Sequence, residues 1–265
     1  METIRTKKTN KSYNNRNFKQ SNAKRKMPGY QKILLIIFII IFIYSGVTLL
    51  KWYINTGDSE KKYQDLAQEV EYSNESSSED NKNIIDFEKL KSINSDVVGW
   101  IKIDKTNINY PIMQSTDNNY YLTKNFYNEY DRSGSVFLDY KNQKNFTDKN
   151  MVIYGHNIKR GTVFADLVDL CKGNFGKDID IYIYTEEKTM EFKVFSSYEI
   201  EPEDYSINSK ISEGEFEQFK QTILKRSQID FDGNAEGGNQ ILTLSTCDNS
   251  GKKRIIVHAV LESVQ

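Results

Sequence analysis

The first long feature of the hydrophobic pattern is an uncharged run of 18 residues, Ile33 to Leu50, bracketed by Lys32 and Lys51. At about 1.5 Å per residue a helix of that length covers roughly 27 Å, close to the ~30 Å of a bilayer's hydrocarbon core. Trp52 and Tyr53 follow where an interfacial aromatic anchor belongs. The pattern predicts a spanning helix over 32–53. After it, Glu60 to Tyr72 is compatible with a helix, and Ser73 to Lys82 contains no apolar residue and reads as a spacer. A short helix is expected over Ile84 to Ile93, with Ile85, Leu90 and Ile93 on one face.

From Gly99 the period changes from helical to strand-like. Short runs rich in Ile, Val, Tyr, Phe and Thr, separated by polar turns, predict eight strands. They are Gly99 to Ile103, Ile108 to Met113, Ser135 to Asp139, Met151 to Tyr154, Ile179 to Tyr184, Met190 to Ile200, Gln240 to Thr246 and Arg254 to Val264. Pro111 cannot donate to a ladder and predicts an edge or a bulge in the second. Two helices interrupt the strands, one near Thr162 to Leu170. The other starts at the capping box Ser212-Glu213-Gly214-Glu215, with Phe216, Phe219 and Ile223 at helical spacing as core anchors. The expected fold is therefore mainly β, an eight-stranded closed or nearly closed barrel with peripheral helices behind an N-terminal transmembrane helix.

Charge changes the picture at the N-terminus. The formal net charge of −1 hides ten Lys or Arg against one acid in residues 1–32, so this arm is +9 and the remainder −10. A basic arm can bind nucleic acid, but one followed at once by a spanning segment faces a membrane, and the positive flank stays in the cytoplasm. The apolar run is longer than a signal-peptide core and no small-x-small cleavage site follows it, so the anchor is expected to stay uncleaved. The expected organisation is a cytoplasmic basic tail over 1–31, a signal anchor over 32–53, an extracellular stalk over 54–83 and a catalytic domain over 84–265.

Chemistry is confined to few residues. The chain has two cysteines, Cys171 and Cys247, and two histidines, His156 and His258. Cys247 ends the run Thr243-Leu244-Ser245-Thr246-Cys247, at the tip of a strand, where a nucleophile is exposed while its backbone is held. A free thiol has a pKa of about 8.5 and needs a base or a cation to be activated. His156 follows a strand within Tyr154-Gly155-His156-Asn157; His258 lies inside the last strand, four residues or about 13 Å from Arg254. His156 is thus the favoured acid and base. Arg254 opens the strand that follows the turn Asp248 to Lys253, and a fixed cation there would favour an oxyanion. Strand alternation alone does not rank Arg254 over Lys252, although a planar guanidinium is the better donor. Cys171 is expected to be a buried free thiol, not bonded to Cys247. The Gly-rich stretch Asp232 to Gly238 lacks the context of a phosphate loop. Two distant histidines and no closely spaced thiol pair do not meet metal-ligand spacing.

These motifs together resemble the sortase family. Beyond Thr243 to Cys247, Arg254 and Tyr154-Gly155-His156, the segments Val97 to Ile103, Thr106 to Ile112, Asp117 to Leu122 and Gly134 to Asp139 are similar to its class B branch, and the likeness covers nearly all of 84–264. Class B is favoured because the anchor is N-terminal, no second apolar span follows Val264, and the insert Glu201 to Asn239 contains a helix. The resemblance implies a cysteine transpeptidase that needs no cofactor. It would cleave a C-terminal sorting motif of a secreted protein after its Thr and pass the thioacyl group to an amine of peptidoglycan or its lipid-linked precursor. It makes Cys247 the nucleophile, His156 the acid and base and Arg254 the oxyanion donor, with Ser245, Asp248, Asn118, Leu122 and Tyr205 lining the substrate groove. Two other readings remain open: a cysteine hydrolase on the same barrel, separable by product analysis with and without an amine, and a catalytically silent surface-binding module, which a thiol label directed at Cys247 would leave unmarked. No nucleic-acid partner is expected.

Overall fold

In the computed structural model, residues 28–71, 85–158, 162–201, 207–247 and 252–265 are described, the side chains of 51–60 and of Cys247 excepted. The chain forms two compact units, 1–52 and 53–265. Within the first, Gly29–Leu50 is a helical stretch of 22 residues, long and apolar enough to cross a membrane. At about 1.5 Å per residue it extends roughly 33 Å. It is part of α1 (Gly29–Val70). The spacer 73–82 lies outside the described residues.

The end of α1 belongs to the second unit and carries an apolar stripe at i, i+3, i+4 and i+7. Tyr63, Leu66, Ala67 and Val70 on that stripe are all buried in the main core. Burying side chains of the size of Leu66 and Val70 contributes roughly 1.5–3 kcal/mol each, so this segment is an integral part of the folded unit. α2 (Phe87–Ile93) starts later than expected because Asp86 caps it, accepting the Lys89 N–H at 2.9 Å. Its buried residues are Phe87 and Leu90, while Ile93 stays exposed.

All eight expected strands form and close into one barrel. They are β1 (Val97–Ile103), β2 (Asn109–Met113), β3 (Val136–Leu138), β4 (Asn150–Tyr154), β7 (Asp180–Tyr184), β8 (Thr189–Ile200), β9 (Ile241–Cys247) and β10 (Arg254–Val264). Their order around the barrel is β1-β2-β3-β4-β9-β10-β8-β7. The pairs β2/β3 and β4/β9 are parallel and the others antiparallel. Closure leaves no edge strand, so Pro111 is not at an edge. It is tolerated because β3 pairs with β2 only at Ile112 and Met113, and the β1/β2 register shifts nearby, between Val97 and Gly99.

A two-stranded hairpin of β5 (Asn157–Ile158) and β6 (Thr162–Val163) was not anticipated. It displaces the start of the next helix, which runs over α3 (Asp166–Cys171) instead of Thr162 to Leu170. α4 (Glu213–Arg226) begins at the expected capping box, with the Ser212 N–H and hydroxyl donating to Glu215 Oε2 at 3.3 and 2.6 Å. Phe216, Phe219 and Ile223 pack with Tyr198, Ile256 and Val260 in a second apolar cluster.

His258 lies in this second layer as a satisfied core residue. The Thr243 hydroxyl donates to Asn150 Oδ1 at 2.7 Å and so accepts from His258 Nδ1, while the Tyr198 hydroxyl donates to Nε2 at 2.8 Å. The ring is held neutral. Burial, with the nearby Arg226 charge, pushes its pKa down to about 3 from 6.5. Folding therefore excludes a proton that the unfolded chain binds, and the stabilising contribution present above pH 6.5 is lost as pH falls toward 3. Unfolding by urea, followed through the buried Trp100, should show stability falling by about 1–2 kcal/mol between pH 6.5 and 5. A His258→Gln variant should lose most of that slope.

Candidate active site

The site is built from three adjacent strands at one end of the barrel. β4 and β9 run parallel, with Tyr154 level with Ser245 and the Gly155 N–H donating to the Ser245 carbonyl at 3.2 Å. His156 follows two residues beyond the end of β4, and Cys247 ends β9 two residues beyond Ser245. β9 and β10 are antiparallel, and Arg254 stands directly opposite Cys247. Directly opposed residues of such a pair have Cα atoms about 4.5–5.5 Å apart. The register thus sets Arg254, and not Lys252, opposite Cys247; Lys252 lies beyond the strand and is exposed.

Gly155 is required where it stands. A Cβ there would come within 2.8 Å of the Phe164 ring and 3.1 Å of Val163. The chain turns tightly over that ring, and the Phe164 N–H donates to the His156 carbonyl at 3.0 Å. The β5/β6 hairpin thereby fixes the backbone of His156. Its partly exposed ring contacts the Leu122 carbonyl through Nε2 at 2.9 Å. A carbonyl can only accept, so Nε2 carries a proton and Nδ1 of the neutral ring holds the lone pair.

The remaining expected residues divide. Leu122 joins the site through its backbone carbonyl. Ser245 is buried beside Tyr154, its hydroxyl without a hydrogen-bond partner among the described residues. Asn118 has both ends of its amide engaged in the fold, Nδ2 donating to Asp139 Oδ2 at 2.9 Å and Oδ1 accepting from Tyr140 N at 3.0 Å. Asp248 and Tyr205 lie outside the described residues. Tyr154 and Asp139 were not singled out from the sequence: the Tyr154 hydroxyl donates to Asp139 Oδ2 at 3.0 Å, and Ser209 donates to Oδ1 at 3.2 Å. Tyr154 was open to recognition, because it precedes the Gly155-His156 pair and ends its strand; Asp139 becomes visible only through tertiary contact.

Cys171 is free, buried at the end of α3, and desolvation raises its pKa. Being a free thiol, it is not disulfide-bonded to Cys247. Its surroundings are those of an inert core thiol.

Residues 101–262 match the family model of the sortase domain. Sortase B of Listeria monocytogenes is 35% identical over 240 residues, covering 87% of this chain and 96% of that protein. Sortase B of Staphylococcus aureus is 31% identical over 252 residues, covering 90% and 99%. Among solved structures, Clostridium perfringens sortase B superposes with a TM-score of 0.62 at 35% identity, covering 66% of this chain and 99% of that one. Bacillus anthracis sortase B in complex with AAEK1 superposes with a TM-score of 0.68 at 33% identity, covering 79% and 98%. A closed eight-stranded barrel, relatives alike over nearly their whole length and a family match across the barrel lead to one conclusion: this chain belongs to the sortase family of cysteine transpeptidases, in its class B branch.

Proposed function

We propose that this transpeptidase cleaves a sorting motif near the C-terminus of a secreted protein after its Thr and joins the new carboxyl end to an amine of peptidoglycan or its lipid-linked precursor. The observation that carries this reading is the β9/β10 register, which sets Arg254 directly opposite Cys247, with His156 two residues beyond the end of β4, the other neighbour of β9.

In the first half-reaction the Cys247 sulfur attacks the scissile carbonyl carbon and its proton passes to His156 Nδ1. Arg254 donates to the oxygen as it becomes negative, an interaction stronger in the transition state than in the ground state. His156 then returns the proton to the departing amide nitrogen, the C–N bond breaks and a thioester remains. In the second half the acceptor amine adds to the thioester carbonyl, His156 takes its proton and the thiol is released. No net redox change occurs, and the acyl energy of one amide is conserved in the next.

Ser245 and Leu122, beside Cys247 and His156 respectively, are suited to line the acyl side of the groove. Asn118 contributes by holding Asp139, which in turn holds Tyr154, so its effect on substrate is indirect. Asp248 and Tyr205 retain the groove-lining roles implied by the family. The basic tail, the apolar helix of α1 and the folded domain fit a single-pass protein with its N-terminus in the cytoplasm and its active site outside, where wall precursors are found.

The test is product analysis with a library of sorting-motif peptides, with and without a small amine. Amide formation at the Thr carboxyl in the presence of the amine supports transpeptidation. Free acid as the sole product at saturating amine would favour a hydrolase, and no cleavage of any peptide would favour a binding module.

A further inference from the structure

We infer that Tyr63, in the last turns of α1, is a positioning residue for His156, acting through the loop 119–135 that carries the Leu122 carbonyl. Tyr63 is buried, and its hydroxyl ties together the two arms of this loop. It accepts the Phe126 N–H at 3.0 Å from one arm and reaches the Ser135 hydroxyl of the other at 3.4 Å. Ser135 in turn donates its hydroxyl to the Lys124 carbonyl at 2.8 Å and its N–H to the Tyr121 carbonyl at 2.9 Å. One residue on from Tyr121 is the carbonyl that holds His156 Nε2 at 2.9 Å.

The loop has little slack at that point. Gly134 has φ of +59°, and a Cβ on it would lie 2.5 Å from the Tyr121 oxygen and 2.8 Å from the Leu122 oxygen. The peptide planes of 121 and 122 are therefore pressed against the backbone of 134, and whatever clamps Ser135 to the other arm fixes where the Leu122 oxygen stands. Asn94 adds a hold near the tip of the loop, donating to the Phe126 carbonyl at 2.8 Å and to Asn128 Oδ1 at 3.3 Å, whereas Tyr63 reaches Ser135, next to Gly134. A neutral histidine that loses its Nε2–H acceptor is free to exchange tautomers and to turn, which removes the lone pair from the reacting side.

The kinetic half of this inference rests on the proposed role of His156; the structural half does not. The test uses the full-length chain in detergent micelles, labelled with 15N-histidine. Only two imidazoles exist, and the wild type should show His156 as the Nε2–H tautomer and His258 as the Nδ1–H tautomer. Tyr63→Phe keeps the ring and removes only the hydroxyl. It is expected to leave the His258 signals unchanged and to shift His156 toward a tautomer mixture. The acylation kcat should fall about fivefold, with KM for the peptide within about twofold of wild type, as for a small misplacement of a catalytic group. An unchanged His156 tautomer in a variant whose His258 signals are intact would overturn the inference, whatever the activity. A shifted tautomer with unchanged kcat would uphold the contact and count against the proposed role of His156. If Tyr63→Phe disturbs both rings, Ser135→Ala removes the same hydroxyl pair together with the Ser135–Lys124 bond, and an unchanged His156 tautomer in that variant, with the His258 signals intact, overturns the inference.

Discussion

Replacing His156 with Gln should lower the rate of acylation by peptide about 10³-fold, within the 10²–10⁴ range expected for loss of a general acid and base. Gln keeps a side chain of similar size and can still donate an N–H to Leu122, but it cannot carry a proton between sulfur and leaving nitrogen. KM should change little, since the group acts on the reacting atoms and not on remote parts of the substrate. The informative comparison is His258→Gln. That ring is buried and neutral, bonded to Thr243 and Tyr198, and lies opposite Thr243, four residues along β9 from Cys247. Its replacement should cost about 1–3 kcal/mol of stability, as for a disrupted buried hydrogen-bond network. Acylation should stay within about threefold of wild type, because the ring does not touch the reacting atoms. Equal losses in the two variants, measured well below either unfolding midpoint, would contradict the assignment.

The second large effect is expected at Arg254. Arg254→Ala should reduce kcat by about 10²–10³-fold, the usual consequence of removing an oxyanion donor. Arg254→Lys should recover only part of that loss. Lysine restores the positive charge but not the planar fork, and a point charge on a flexible stem cannot hold its geometry to both the developing oxygen and the substrate backbone. Lys252 and Lys253 serve as controls for charge alone. Lys253 already pairs with Glu199 at 3.3 Å, and Lys252 is exposed. Exposed cations of this kind contribute about 0–1 kcal/mol through screened interactions, so Lys252→Gln and Lys253→Gln should each leave kcat within about threefold. Single-turnover kinetics with one peptide across the four variants checks the ranking.

Much of this architecture was legible from pattern alone. Short runs rich in Ile, Val, Tyr, Phe and Thr between polar turns located every barrel strand, and the capping box at Ser212 located the start of α4. What escaped has identifiable physical causes. Strands of two residues such as β5 and β6 are too short to show a period, so Thr162 and Val163 read as the start of a helix. The stripe Tyr63, Leu66, Ala67, Val70 has helical spacing, but only the folded domain shows that it has a surface to bury against. The pairing of Arg254 with Cys247 was not legible while the length of the Asp248 to Lys253 turn left the β9/β10 register open. Asn118 was expected to line the groove only through the resemblance to class B sortases. That its amide is already engaged with Asp139 and Tyr140 depends on residues more than twenty positions away, and no local signal carries such information.

In the proposed mechanism, residues carried by three neighbouring strands converge on one reacting carbonyl. A crystal structure of the protein with a sorting-motif peptide bonded covalently to Cys247 through an electrophile at the Thr carbonyl position tests it most directly. The His156 imidazole and the Arg254 guanidinium should both lie within hydrogen-bond reach, about 2.6–3.2 Å, of the modified carbonyl or its leaving-group site, with Leu122 still bonded to Nε2. Attachment of the peptide to Cys171, or either His156 or Arg254 turned away from the adduct toward another part of the surface, would rule the mechanism out.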